Sequence, residues 1–287
     1  MINVKFNNEE YQIEEQMLVI DFIKIYLKID DKMIIACKMF NEVKSLNSII
    51  DRNCKLELID VKKSDGNRIY VRGLTFIFSM AFEELFPNQK YYVDYSLGHS
   101  LYIETRVTIT EEIREQIRSK MLEIIAKDFA IEKKVITMEE AFELYKSCGK
   151  EDKRGLLETR MKTHVSLYYC NEFFNYFYGV MPISTSYIDK FDLLEYESGL
   201  LLVYPRRFSN CQIEKLKDTK KLYATFNEYD KIHKILGIET IVGLNRYIRE
   251  NKGGHAIRIS EALHEKKIAN IADMIASDRN KKLVLIA

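Results

Sequence analysis

Alternating apolar residues at the start of the chain constrain its fold more than any other feature. Ile2, Val4 and Phe6 alternate with polar residues. The same alternation returns at Tyr11 and Ile13 after a short polar stretch. Because successive side chains of a strand point to opposite faces, this pattern predicts a β-hairpin.

The rest of the first sixty or so residues adds one helix and two strands to the hairpin. Apolar residues from Met17 to Leu27 recur at helical spacing. The runs Met33–Met39 and Lys55–Val61 each predict a strand. The order ββα followed by ββ predicts a β-grasp domain over residues 1–63.

The segment 64–205 predicts a second α+β domain. The Ser-Asp-Gly-Asn run at 64–67 indicates a turn and a linker. A capping box at Thr108 and Glu111 indicates the start of a long amphipathic helix. The remaining elements are a buried helix at 74–86, a strand-like stretch at 91–104 with a break at Gly98, a helix at 137–147 and an aromatic, strand-rich stretch at 167–204.

The segment 206–280 predicts a helical connector with three helices. Helical spacing covers 222–236, 241–250 and 255–277. Gly237 is expected to cap the first helix in the left-handed conformation, and Gly253-Gly254 is expected to break the chain. The apolar run after Lys281-Lys282 predicts a buried strand of a parallel sheet over 281–287, the first strand of a further domain.

Charge and cysteine content limit the classes of function. With 44 basic and 43 acidic residues the net charge is +1, so no strong overall field attracts nucleic acid or membrane. Five cysteines without a CxxC pair indicate reduced thiols and a cytoplasmic location. No apolar run approaches the roughly 18 residues of a membrane span. No membrane partner is expected.

Residues 1–61 resemble a TGS domain, the ubiquitin-like module at the front of threonyl-tRNA synthetases. Residues 68–205 are similar to the second additional, or editing, domain of those enzymes. The segments on which this similarity rests are FSMAFEELFP (78–87), GHSLYIE (98–104) and EEAFELYKSCG (139–149). The resemblance implies an α+β fold with a ligand-binding or RNA-binding front end and an editing-like cleft.

The resemblance also implies where catalytic groups would stand. Editing domains of this family use a His-x3-His pair and a later Cys-x3-His. The aligned positions hold Arg72 and Phe76, and then Cys170 and Phe174. Only the cysteine matches, so we expect no metal site and no catalytic residue. The candidate degenerate cleft comprises Arg72, Phe76, Tyr102, His164, Cys170 and Phe174, with packing the expected role of Tyr102.

The C-terminal segments resemble bacterial nucleoside kinases of the uridine kinase/phosphoribulokinase family that carry a TGS-like front end. The resemblance rests on residues 222–245, 259–276 and 281–287. The resemblance implies that the chain ends just before the phosphate loop of its own C-terminal kinase domain, which is its expected partner. ATP and Mg²⁺ would be cofactors of that domain only, and this chain would be inactive alone.

Three hypotheses stay open on the sequence. The chain is the non-catalytic binding or regulatory region of a uridine kinase-family enzyme, an RNA- or tRNA-binding adaptor, or a degenerate aminoacyl-tRNA editing hydrolase. A nucleoside or RNA ligand and a homo-oligomer are compatible with each. No phosphate loop, GxSxG, HExxH, GxGxxG or EF-hand motif occurs in the sequence.

Overall fold

The computed structural model describes residues 1–206, 208, 211–278 and 280, and these divide into two compact units. The first comprises Met1–Thr137 and His164–Lys220, and the second comprises Met138–Thr163 and Lys221–Ala287. The division of the chain into domains at 63/64 and 205/206 stays a prediction. The predicted strand at 281–287 lies outside the described residues.

The N-terminal part of the first unit is a mixed sheet with one helix. Its elements are β1 (Ile2–Phe6), β2 (Glu9–Ile13), β3 (Met17–Leu18), α1 (Val19–Ile25), β4 (Ile34–Met39), β5 (Glu42–Lys44), β6 (Ile49–Ile50) and β7 (Cys54–Asp60). The main sheet has the order β2-β1-β7-β4-β5, with β1 and β7 parallel. Phe22 of α1 is fully buried against this sheet's apolar core. The predicted β-grasp arrangement is confirmed.

A long central helix, α2 (Ser64–Leu85), follows at once. The predicted turn at 64–67 is wrong, because these residues form the first helical turn. Gly66 serves packing there, since a Cβ on it would lie 1.9 Å from the carbonyl oxygen of Asp60. Most of the helix between Ile69 and Phe82 is buried, as expected of a helix that is apolar on several sides.

Two further sheets and a helix complete the first unit. They are built from β8 (Tyr91–Ser96), β9 (Ser100–Thr105), α3 (Glu111–Ala126), β10 (Glu132–Thr137), β11 (His164–Cys170), β12 (Phe173–Asn175), β13 (Asp192–Tyr196) and β14 (Gly199–Val203). The sheet orders are β13-β14-β9-β8 and β10-β11-β12. The expected cap at Thr108 is wrong: Thr110 Oγ1 accepts a hydrogen bond from the Ile113 backbone N–H and begins α3.

Helices dominate the second unit: α4 (Met138–Ser147), α5 (Glu151–Glu158), α6 (Lys220–Leu236), α7 (Ile241–Arg249) and α8 (Gly253–Ser277). Gly237 has a φ of +67°, which confirms its left-handed cap. The expected break at Gly253-Gly254 is wrong, since both glycines lie in the first turn of α8. Within the described chain, no helix combines the length and the hydropathy needed to cross a bilayer. The α+β class predicted from the sequence is confirmed.

Candidate functional site: a filled cleft between a helix and a hairpin

Helix α2 and the β11–β12 hairpin bring three of the predicted cleft residues into one region of the first unit. Arg72 and Phe76 are four residues apart on α2 and therefore share a face of the helix. Cys170 is the last residue of β11, and it belongs to the same buried apolar cluster as Phe76.

Aromatic rings fill the space in front of α2. Phe76 is completely buried. Its ring centroid lies 5.0 Å from that of Phe173 with an interplanar angle of 75°, and 5.7 Å from that of Phe177 with an angle of 65°. Both pairs have the edge-to-face geometry that aromatic quadrupoles favour. The cleft is thus occupied by the protein's own side chains at this position.

Arg72 binds the loop that follows the hairpin. Its Nη1 donates a hydrogen bond of 2.8 Å to the carbonyl oxygen of Val180. Tyr168 Oη donates to the neighbouring carbonyl of Gly179. Gly179 has a φ of +94°, and a Cβ on it would lie 3.0 Å from Arg72 Cζ. A glycine is therefore required here both by the backbone conformation and by the approach of the guanidinium group.

Burial shifts the titration of both polar groups beneath this loop. The half-buried position of Arg72 lowers its pKa, and the charge of nearby Arg68 lowers it further. Burial raises the pKa of Tyr168 to about 12. Arg72 keeps its charge, since guanidinium is protonated throughout the physiological range. The pair therefore donates to two successive carbonyls without taking part in proton transfer at neutral pH.

Cys170 is a buried thiol rather than a reactive one. Only 1% of the residue is exposed, and burial raises the pKa of its thiol to about 11. Thiolate is the nucleophilic and metal-binding form of cysteine, so raising the pKa suppresses both reactions at neutral pH.

Phe174 lies on the other face of the hairpin. Cys170 pairs with Phe173, whereas Tyr169 pairs with Phe174. Because side chains alternate along a strand, Phe173 shares the face of Cys170 and Phe174 does not. The Phe174 ring instead stacks on Tyr169 at a centroid distance of 5.7 Å.

The other two predicted cleft residues lie away from Cys170. His164 is at the far end of the same strand, and Tyr102 is in another sheet. His164 and Cys170 are the two ends of the seven-residue strand β11, which spans about 20 Å. His164 is exposed, so it cannot share a ligand with the buried thiol. Tyr102 is buried in β9, where its ring stacks on Tyr95 and its Oη lies 3.2 Å from Ser198 Oγ. Packing, the role expected for Tyr102, fits this position.

Metal ligands do not converge in the part of the chain that the structure describes. There, no group of three or more His, Cys, Asp or Glu side chains is placed to hold a metal ion. The matched positions hold an arginine, two phenylalanines and one cysteine. Only the cysteine sulfur is a zinc ligand, and one ligand is fewer than the three or four protein ligands of a usual zinc site.

An open groove of about 390 Å³ adjoins the filled cleft, one to two helical turns further along α2. Lys120 forms ion pairs with Glu84 and with Glu123, and Lys127 also pairs with Glu123. The basic groups in or beside the groove therefore already have acidic partners. The lining residues are Met80, Glu83, Glu84, Lys120, Ile124, Lys127, Phe129, Asn171, Glu172 and Phe173.

Sequence reasoning missed Phe173 and Phe177 as the residues that close the cleft. Both belong to the aromatic run 173–178, whose composition fits base stacking as well as half-buried strand packing. The structure divides the run. Phe174 is 9% exposed in β12, whereas Tyr178 follows the strand and is 83% exposed.

Curated threonine–tRNA ligases are similar to this chain. The ligase of Natranaerobius thermophilus is 27% identical over 150 residues, which are 49% of this chain and 22% of that protein. The ligase of Listeria welshimeri is 28% identical over 166 residues, 57% of this chain and 26% of that protein. The ligase of Symbiobacterium thermophilum is 26% identical over 226 residues, 75% of this chain and 34% of that protein.

These matches confirm the predicted similarity to threonyl-tRNA synthetases, and the α+β fold agrees with their N-terminal region. The chain spans between about a fifth and a third of the length of the curated relatives it matches. No protein-family model matches the chain.

Proposed function

We propose that this chain is a non-catalytic RNA-binding module whose ligand is tRNA. The similarity to threonine–tRNA ligases supports the choice of ligand class. The observation that carries the non-catalytic part is the filled cleft. Phe76, Phe173 and Phe177 occupy the region where the resemblance expects catalytic histidines.

Chemistry at the filled cleft is disfavoured for two physical reasons. A hydrolytic site needs a positioned water or a nucleophile near a general base. Burial keeps the Cys170 thiol protonated at neutral pH, and the rings around Phe76 leave the thiol enclosed by apolar groups. The degenerate editing hydrolase is therefore the less favoured alternative.

Binding and deacylation assays on the purified chain test the proposal together. We expect saturable filter binding of tRNA that weakens as salt rises from about 50 to 200 mM, because phosphate contacts release counterions. Double-stranded DNA of similar length serves as the competitor that measures sequence-independent attraction. We expect no hydrolysis of threonyl-tRNA or seryl-tRNA above the buffer rate. The absence of tRNA binding at low salt would refute the binding part, and measurable deacylation would refute the non-catalytic part.

A second proposal concerns the protein to which this module belongs. We propose a uridine kinase-family parent whose own kinase domain uses ATP and Mg²⁺. Its support is the resemblance at 222–245, 259–276 and 281–287. The relatives reported above are all threonine–tRNA ligases and do not bear on this proposal. ATP-dependent phosphorylation of uridine by the full-length protein, with no ATP turnover by residues 1–287 alone, is the expected result. Full-length protein that leaves uridine unphosphorylated would refute it.

A further inference from the structure

Tyr178 is an exposed aromatic residue at the end of a run of largely buried ones. Of its side chain and backbone, 83% is accessible, whereas Phe174 in the same run is 9% accessible. An exposed aromatic ring offers its face to a flat ligand such as a nucleobase. The neighbouring rings of the run pack in the cleft, whereas the Tyr178 ring is accessible from solvent.

The backbone beside Tyr178 is held in place from below. Tyr168 donates a hydrogen bond to the carbonyl of Gly179, and Arg72 donates one to the carbonyl of Val180. The two carbonyls belong to the two residues directly after Tyr178. A ring presented on a fixed backbone loses little conformational entropy when it binds a ligand, so this arrangement favours recognition.

A second arginine, Arg68, lies one helical turn before the arginine that binds this loop. Arg68 precedes Arg72 by four residues on α2, so both guanidinium groups lie on the same side of the helix. The side chain of Arg68 is 68% exposed and forms a 3.3 Å ion pair with Asp65. Exposed ion pairs of this kind are weak. Arg68 can therefore pair with a phosphate group, either in place of Asp65 or in addition to it.

An exposed ring beside a cation is the combination that holds single-stranded nucleic acid, with a base on the ring and a phosphate on the cation. We propose that Tyr178 and Arg68 form a site for one unpaired nucleotide of RNA, an inference that rests on the proposed RNA-binding function. Tyr178 stacks on the base and Arg68 contacts the backbone. Arg72 and Tyr168 are positioning residues that hold the loop.

Fluorescence anisotropy with two labelled RNA hairpins tests the site. One hairpin has a blunt end and the other has four unpaired nucleotides at its 3′ end. We expect the wild-type chain to prefer the second hairpin and Tyr178→Ala to bind it roughly tenfold more weakly, since stacking contributes measurably per base. Tyr178→Phe should bind it like the wild type. Arg68→Gln should lower the slope of log affinity against log salt by about 0.7.

Phe208→Ala is the matched control, because Phe208 is also an exposed ring, at 76%, outside this loop. It should leave both affinities unchanged, and circular dichroism should show that every variant folds. If the wild type binds RNA and Tyr178→Ala binds the overhang equally well, the nucleotide site is refuted and the proposed function stands. If the wild type binds neither hairpin nor tRNA, the proposed function itself fails.

Discussion

Replacing Phe76 by alanine should destabilise the first unit strongly. The side chain is completely buried, and it contacts the rings of Phe173 and Phe177 at centroid distances of 5.0 and 5.7 Å. Truncation of a buried phenylalanine costs about 3–5 kcal/mol. We expect about 4 kcal/mol, because a helix on one side and a hydrogen-bonded hairpin on the other limit the collapse of the cavity.

The assay must report on the first unit by itself, since the chain forms two compact units and contains no tryptophan. Hydrogen exchange read by mass spectrometry on peptides of α2, across a urea series, meets this need. Phe208→Ala is the control. That ring is 76% exposed, so its removal should change the free energy of unfolding by less than about 0.5 kcal/mol.

A double-mutant cycle refines the same prediction. Phe76→Ala combined with Phe173→Ala should show a coupling energy of about 0.5–1.5 kcal/mol, as edge-to-face aromatic pairs do. Phe76→Ala combined with Phe174→Ala should be additive, because Phe174 lies on the opposite face of the hairpin. A loss below about 1.5 kcal/mol for Phe76→Ala, or equal coupling to Phe173 and Phe174, would refute the filled cleft.

Four further predictions concern the loop at Gly179, the cap of α3 and the cysteines. Gly179→Ala should destabilise the first unit by at least about 1–2 kcal/mol, because an L-residue is strained at its φ of +94°; an unchanged urea midpoint would contradict this. Thr110→Ala should cost about 1 kcal/mol by removing the cap of α3, whereas Thr108→Ala, its control, should have no effect; urea titration compares them. Iodoacetamide should alkylate the exposed Cys148 long before Cys170. Stability should fall as pH rises from about 9 towards 11, because the folded Cys170 thiol keeps a proton that the unfolded thiol loses. Cys170→Ala should weaken that dependence in urea titrations at several pH values.

The elements that local pattern decides were predictable from the sequence. The hairpin of β1 and β2 follows from the alternation of apolar residues, and the left-handed helix cap at Gly237 follows from turn chemistry. The β-grasp order also followed, because its strands and helix are read one by one along residues 1–63. Each of these features depends on residues that are close together in sequence.

Features set by tertiary contacts were not predictable in this way. The run at 64–67 has the composition of a turn, yet it is helical because Gly66 lets α2 approach the Asp60 carbonyl. The partner of Arg72 is Val180, 108 residues away in sequence. The same limit applies to Phe76, whose ring partners come from the hairpin and the loop after it. No local period indicates which aromatic residues will face one another across the cleft.

The residues at the matched catalytic positions act together in making this region a packed interior instead of a polar cleft. A polar cleft needs water or ligands to satisfy its groups, because an unpaired polar atom in a low-dielectric interior is unfavourable. Here Phe76 and Phe173 remove that need by filling the space with apolar rings. Arg72 meets its own need by donating to Val180.

The filled cleft also bears on where the proposed RNA ligand would bind. Arg72 donates a hydrogen bond to the Val180 carbonyl, and Tyr178, two residues earlier, is 83% exposed. In the proposed nucleotide site, Tyr178 supplies the ring and Arg68 supplies the cation, while Arg72 holds the loop that follows Tyr178. A module of this kind would bind single-stranded RNA without hydrolysing it, which is why binding and hydrolysis are separated in the experiments above.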